Sequence, residues 1–147
     1  MSSDPARYSN IKNFTLFYDD LKNNKLPQWY ADVQTFIDVR AFITPNMLND
    51  GHDTTVDYTG NWTRSFLTPL LNNTNFNGNK TLILVTFDEN ETYETKNQVW
   101  TLLLGNAIPP NLRGTTDPTY YTHYSCLSSI QANWGLYHLV SSFPNLF

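Results

Sequence analysis

At 147 residues, 40% hydrophobic and 15% aromatic, the chain has the size and apolar content of one packed globular domain, and it needs neither a disulfide scaffold nor a structural metal to fold. Thirteen acidic against nine basic residues give a formal charge of -4 with no Lys or Arg cluster, which argues against nucleic acid as a partner. No apolar run approaches the roughly 20 residues of a membrane span, and Met1 is followed by Ser-Ser-Asp-Pro rather than by a signal peptide's basic and then apolar residues.

In chain order, Phe14, Phe17, Tyr18 and Leu21 follow helical spacing from Asn13, a natural N-cap, with Pro27 beyond the far end, so a surface helix is expected. Residues 30–41 fit neither period cleanly. Phe42 and Ile43 read as the end of a short strand that enters a loop at Thr44-Pro45-Asn46. The polar run Asn49 to Thr55 contains Asp50-Gly51, a tight-turn pair that puts His52 on an exposed bend. From Gly60 to Leu71, residues Trp62, Phe66, Leu67, Leu70 and Leu71 share one helical face, which Pro69 should end or kink. A loop then covers Asn72 to Lys80.

The run Thr81-Leu82-Ile83-Leu84-Val85-Thr86-Phe87 is apolar, β-branched and bounded by polar residues, the pattern of a central strand buried on both faces. Val99 to Leu104 is a second such run, and the short connection makes it an antiparallel neighbour. A mixed α/β sheet is expected. Tyr124 to Leu136 carries Leu127, Ile130, Ala132 and Trp134 at helical spacing, with Thr122 placed to cap the start and Gly135 near the end.

Two groups of residues have chemistry in reach. Asp88 and Glu89 follow the best strand at its C-terminal end, where α/β sheets present ligand sites, and adjacent carboxylates supply hard oxygen ligands for a divalent cation. The bland alternative is a solvated turn. His52, between Asp50 and Asp53, has a carboxylate at hand to orient one ring nitrogen and raise the imidazole pKa, so that the protonated ring could donate to a leaving alkoxide; a surface histidine in an Asp-rich loop is the competing reading. His123, at the start of a helix, has the place of an anion-binding residue or of a polar capping neighbour, and His138 reads as structural. Asn-x-Ser/Thr sequons at Asn13, Asn61, Asn72, Asn79 and Asn90 favour a secreted glycoprotein over a cytosolic chain. Cys126 is the single cysteine and reads as a small core residue rather than a reactive thiol.

Several motifs, taken together and in order, resemble the closing motifs of the fungal acid phosphatases of the phosphoesterase family, relatives of bacterial phospholipases C within the alkaline-phosphatase-like superfamily. They are Leu26-Pro27-Gln28-Trp29, Phe42-Ile43-Thr44-Pro45-Asn46-Met47, Asn49-Asp50-Gly51-His52-Asp53-Thr54 and Trp62-Thr63-Arg64-Ser65-Phe66-Leu67. Further on come Val85-Thr86-Phe87-Asp88-Glu89-Asn90, Leu103-Leu104-Gly105 with Pro109, and Thr122-His123-Tyr124-Ser125 leading to Ala132-Asn133-Trp134-Gly135. The resemblance implies the C-terminal part of an alkaline-phosphatase-like mixed-sheet sandwich flanked by helices, with residues 1–147 forming a single, partial phosphoesterase domain. It also implies a metal site at Asp88 and Glu89, a divalent cation as cofactor, and a phosphate pocket lined by His52, Asp53 and His123. The implied reaction is metal-assisted hydrolysis of small-molecule phosphate monoesters at acidic pH, in a parent protein that is secreted or cell-wall-associated.

The same pattern places a Glu-Asn metal pair and a Ser or Thr nucleophile upstream of Met1. It also joins Trp29 almost directly to Phe42, so residues 30–41 read as a loop insertion or as translated intervening sequence, and the ending from Val140 onward departs from it. The alternative to an acid phosphatase lacking its nucleophile is a noncatalytic relative that folds and binds phosphate or a partner. A carbohydrate- or protein-binding module, suggested by the aromatic content alone, leaves the ordered motifs unexplained.

Overall fold

The computed structural model describes residues 13–23, 42–137 and 143–146. The Leu26 to Trp29 motif, the 30–41 segment and His138 lie outside the described residues. The chain divides after Gly78 into two compact units.

The first unit holds helix α1 (Phe14–Lys22) and helix α2 (Val56–Leu71). Asn13 caps α1 as its position suggests, its Oδ1 accepting the Leu16 N–H at 2.9 Å. Helix α2 begins four residues earlier than the apolar pattern, because Thr55 is the N-cap and its Oγ1 accepts the Tyr58 N–H at 3.3 Å. Pro69 lies inside α2, and the helix persists only to Leu71. A proline there removes one ladder donor close to an end where carbonyls already lack partners, so the bond it forfeits costs less than one in mid-helix. Thr68 Oγ1 donates to the Arg64 carbonyl at 2.7 Å in the same turn.

Phe66 is the hub of this unit. Its ring stacks on Trp62 with centroids 5.1 Å apart, and meets Phe14 at 5.6 Å, Phe17 at 5.8 Å and Tyr18 at 6.0 Å. Edge-to-face and offset pairs of this kind add to the burial of the rings themselves. Phe17 of α1 and Phe66, Leu67 and Leu70 of α2 are buried and form the core, while Phe14, Leu21, Trp62 and Leu71 of the same faces are half-buried and Tyr18 is exposed. Residues 42–46 form no strand. Phe42 and Ile43, expected to end a strand, are both exposed, while the loop expected from Thr44 is present as a turn in which the Asn46 carbonyl accepts the Asn49 and Asp50 N–H groups at 2.8 and 2.9 Å.

The second unit contains strands β1 (Ile83–Thr86) and β2 (Thr101–Leu104), a 3-10 turn at Pro110–Leu112 and helix α3 (His123–Trp134). β1 and β2 pair antiparallel with Ile83 opposite Leu104 and Thr86 opposite Thr101, and the two threonine hydroxyls meet at 2.9 Å. Among the described residues the sheet has these two strands, so β1 is not the central, doubly buried strand of the sequence expectation; Ile83, Leu84 and Val85 are half-buried and Thr86 is exposed. The described residues are mixed α/β, with three helices and a short two-stranded antiparallel ladder. Gly105 ends the ladder at φ 106°, and a Cβ there would stand 2.3 Å from the Thr81 carbonyl oxygen, which instead accepts the Ala107 N–H at 3.0 Å.

Helix α3 follows Thr122 as N-cap, whose backbone N–H donates to Ser125 Oγ at 3.1 Å, and it ends at Gly135 in the left-handed region (φ 61°, ψ 31°). Its buried residues are Ser125, Ser128, Ser129 and Gln131, not the apolar positions read from the sequence. Leu127 and Ile130 are half-buried and Ala132 is exposed. The segment entering α3 is clasped by Asp117, which accepts the Tyr121 hydroxyl at 2.7 Å and the Thr119 N–H at 2.9 Å. The Tyr121 bond, foremost, pulls the Asp117 carboxyl below its ordinary range, and the same bond pushes the Tyr121 phenol above its own.

Replacing Leu70, fully buried, by Ala is expected to destabilise the first unit by about 2–5 kcal/mol, read by urea denaturation. Gly105→Ala is expected to destabilise the second unit by more than about 1 kcal/mol, because it combines a disfavoured φ with a backbone clash. The Asp117 clasp has a defined pH window. A depressed carboxyl stabilises the folded chain above its unfolded titration range and loses that contribution as pH falls through the folded value; the raised phenol stabilises below its unfolded range and loses that as pH rises through the folded value. The clasp is therefore closed across mildly acidic and neutral pH. Carbon-13 NMR titration is expected to show Asp117 titrating below, and Tyr121 above, the same groups in the urea-unfolded chain, with Tyr121→Phe moving Asp117 back up.

Candidate functional site

The loop before α2 is held by its own backbone. Asp53 N–H donates to the Met47 carbonyl at 2.9 Å, Thr54 Oγ1 to the Leu48 carbonyl at 2.6 Å, and Asn49 N–H also reaches Asn46 Oδ1 at 3.0 Å. Gly51 takes φ 102°, a value open to glycine, so the turn expected at Asp50-Gly51 is present. His52 projects from it, exposed as expected. Both flanking aspartates engage it: Asp50 Oδ1 accepts the His52 backbone N–H at 2.9 Å, and Asp53 Oδ1 lies 3.0 Å from His52 Nδ1. A carboxylate only accepts, so Nδ1 carries a proton in either charge state and Nε2 is the nitrogen that gains or loses one.

In the second unit, β1 delivers Asp88 and Glu89 just past its C-terminal end, both exposed. Asp88 Oδ1 accepts the Glu89 backbone N–H at 3.1 Å. His123, the first residue of α3, donates from Nε2 to the Asp88 carbonyl at 2.7 Å, because a carbonyl oxygen only accepts. The structure thus joins two sequence-predicted residues that stand 35 positions apart, and it does so through the backbone of Asp88 and not its carboxylate. That role for His123 is one that sequence reasoning missed; the only local signal is its place at a helix start.

Beyond Glu89, Asn90 closes the next loop. Its N–H donates to Asn97 Oδ1 at 2.7 Å, and its Nδ2 donates to the Lys96 carbonyl at 2.8 Å and to Thr95 Oγ1 at 3.2 Å. An open groove of about 480 Å³ runs beside it, lined by Asn90, Thr95, Lys96, Gln98, Val99 and Trp100. Of the other sequon asparagines, Asn13 caps α1, Asn61 is exposed on α2, Asn72 is the C-cap of α2 and Asn79 lies exposed in a loop.

The Asp88 and Glu89 carboxylates suit a divalent cation in the chemistry of their donors. In number they fall short of a full ligand set: among the described residues, no group of three or more His, Cys, Asp or Glu side chains gathers to hold a metal ion. Cys126 is half-buried, and burial pushes its thiol up, away from the reactive thiolate. No helix among the described residues is long and apolar enough to cross a membrane.

The chain is 54% identical over 134 residues to the probable acid phosphatase of Kluyveromyces lactis, a match that covers 91% of this chain and 29% of that protein. It is 52% identical over 136 residues to the acid phosphatase of Aspergillus fumigatus, covering 92% of this chain and 28% of that one. It is also 31% identical over 110 residues to the phosphatidylinositol-3-phosphatase of Mycobacterium tuberculosis, covering 75% and 33%. The chain spans about three-tenths of the length of the curated relatives it matches, at their C-terminal side. No solved structure matches it. A family model described as the phosphoesterase family aligns with residues 2–137, and with relatives at this identity the chain belongs to the phosphoesterase family.

Proposed function

We propose that this chain is the C-terminal part of a secreted or cell-wall-associated, glycosylated acid phosphatase, which hydrolyses small-molecule phosphate monoesters with the help of a divalent cation. The observation that carries the reading is the Asp88-Glu89 pair held at the end of β1 with His123 bracing it from α3. The roughly 50% identity to proteins named acid phosphatase supports it. In this reading β1 and β2 belong to a larger alkaline-phosphatase-like mixed sheet, and residues 1–147 are one partial phosphoesterase domain.

Asp88 and Glu89 would hold the cation, which supplies Lewis-acid polarisation of the phosphoryl oxygens when bound. The chain's own residues do the rest of the work proposed for them. His123 keeps the Asp88 backbone in place, and with it the direction of both carboxylates. It also stands at the N-terminus of α3, where backbone N–H groups favour an anion such as phosphate. Asp53 orients the His52 ring through Nδ1, so that protonated His52 donates from Nε2 to the oxygen of the departing alcohol. The nucleophile is assigned to the part of the relatives that this chain does not span.

A noncatalytic relative that binds phosphate or a partner is the second reading; it has in its favour that Asp88 and Glu89 gather no third His, Cys, Asp or Glu ligand among the described residues. A domain exchange separates the two. With this chain in place of the matching C-terminal part of that protein, metal-dependent hydrolysis of p-nitrophenyl phosphate at mildly acidic pH is expected. Asp88→Ala and Glu89→Ala should each lower kcat about 10²-fold or more. A folded hybrid without activity would favour the noncatalytic reading.

A further inference from the structure

Helix α3 buries its hydroxyls, and buried hydroxyls cost free energy unless they are hydrogen-bonded. Ser125, Ser128 and Ser129 are at most 5% exposed. Ser125 Oγ accepts the Thr122 N–H of the helix cap, whereas Ser128 and Ser129 find partners at the far end of the chain. Ser128 Oγ donates to Asn145 Oδ1 at 2.7 Å, and Ser129 Oγ accepts the Leu146 N–H at 2.7 Å while donating to the Ser125 carbonyl at 2.8 Å. Beside these bonds the Tyr124 ring stacks on Phe143, with centroids 5.0 Å apart and planes at 24°. Between Phe143 and Asn145, Pro144 has its φ set by its ring and biases Phe143 toward an extended backbone, so the segment is preorganised to lie along a helix.

We propose that the serine face of α3 is a groove for an extended peptide, and that its occupant is this chain's own segment Phe143–Leu146, a strap that holds α3 so that His123 stays on the Asp88 carbonyl. The short serine side chains let the strap's main chain approach the helix closely. Three of the four strap residues then meet different features: Phe143 the Tyr124 ring, Asn145 the Ser128 hydroxyl, and the Leu146 N–H the Ser129 hydroxyl. The match to the family ends at residue 137, ahead of the strap, so the contact is argued from this chain's geometry alone. The inference concerns α3 and the His123 ring and stands apart from the phosphatase reading, because its readouts require no turnover.

The test compares the full chain with one ending at Tyr137, which keeps the 2.9 Å bond from Gln131 Nε2 to the Tyr137 carbonyl that closes the end of α3. Hydrogen exchange of the α3 amides is expected to quicken about tenfold or more when the strap is removed, the effect of losing a pair of part-buried hydrogen bonds and leaving the buried Ser128 and Ser129 hydroxyls without them. The proton on His123 Nε2, seen by nitrogen-15 NMR, is expected to exchange faster as well. A synthetic peptide of residues 138–147 added in trans should restore both signals saturably, and a Phe143→Ala peptide should bind about tenfold more weakly. Should the shortened chain not fold, full-length Ser128→Ala and Asn145→Ala carry the same expectation for α3 exchange and for His123. Unchanged exchange of α3 and His123 in the shortened chain, or in both full-length variants, would overturn the proposal, as would equal rescue by a scrambled peptide.

Discussion

The second unit depends on the ladder between β1 and β2. With Ile83 opposite Leu104 and Thr86 opposite Thr101, the register sets where β1 stops, and hence where Asp88 and Glu89 leave the sheet. A slip of one residue would turn every side chain of β1 to the other face. The close approach of Gly105 to the Thr81 carbonyl resists such a slip, since the space occupied by the backbone there admits no Cβ. The carboxylate pair is thus anchored on its N-terminal side by main-chain bonds and, through His123, on the side of α3.

The His52 loop obtains its order differently. It has no ladder, and it is held by bonds from Asn46 through Thr54 that close on themselves and then pass into the Thr55 cap of α2. Helix α2 is fixed in turn by the Phe66 cluster with α1. A reactive side chain on a short loop keeps its direction only when the loop's backbone groups are satisfied and the next element is rigid. Both conditions hold here, which explains how His52 can be solvent-exposed and yet keep a defined contact with Asp53.

Helix α3 shows how far a periodicity argument reaches. Leu127, Ile130 and Trp134 have the spacing of a core face, and they are only half-buried, whereas the serines and Gln131 are buried. Spacing identifies which residues share a face; which face is covered depends on what lies against it. Here Phe143–Leu146 lies against the serine face, and hydroxyls that would weaken an apolar core serve as partners for its backbone N–H and its amide.

The features that the sequence by itself determined are local. Helix caps at Asn13 and Gly135, the turn at Asp50-Gly51 and the exposure of His52 all follow from forces within a few residues; the antiparallel pairing of the two apolar runs was legible from their pattern and order, and the ordered motifs were enough to identify the family. Only the tertiary structure decided that α2 continues past Pro69, that Phe42 and Ile43 form no strand, and that β1 has a single neighbour among the described residues. It also decided that the His123 ring meets a carbonyl 35 positions away and that α3 buries serine. The physical reason is range: capping and turn chemistry are settled by adjacent backbone groups, whereas burial and long-range hydrogen bonds depend on partners that the fold brings from elsewhere in the chain.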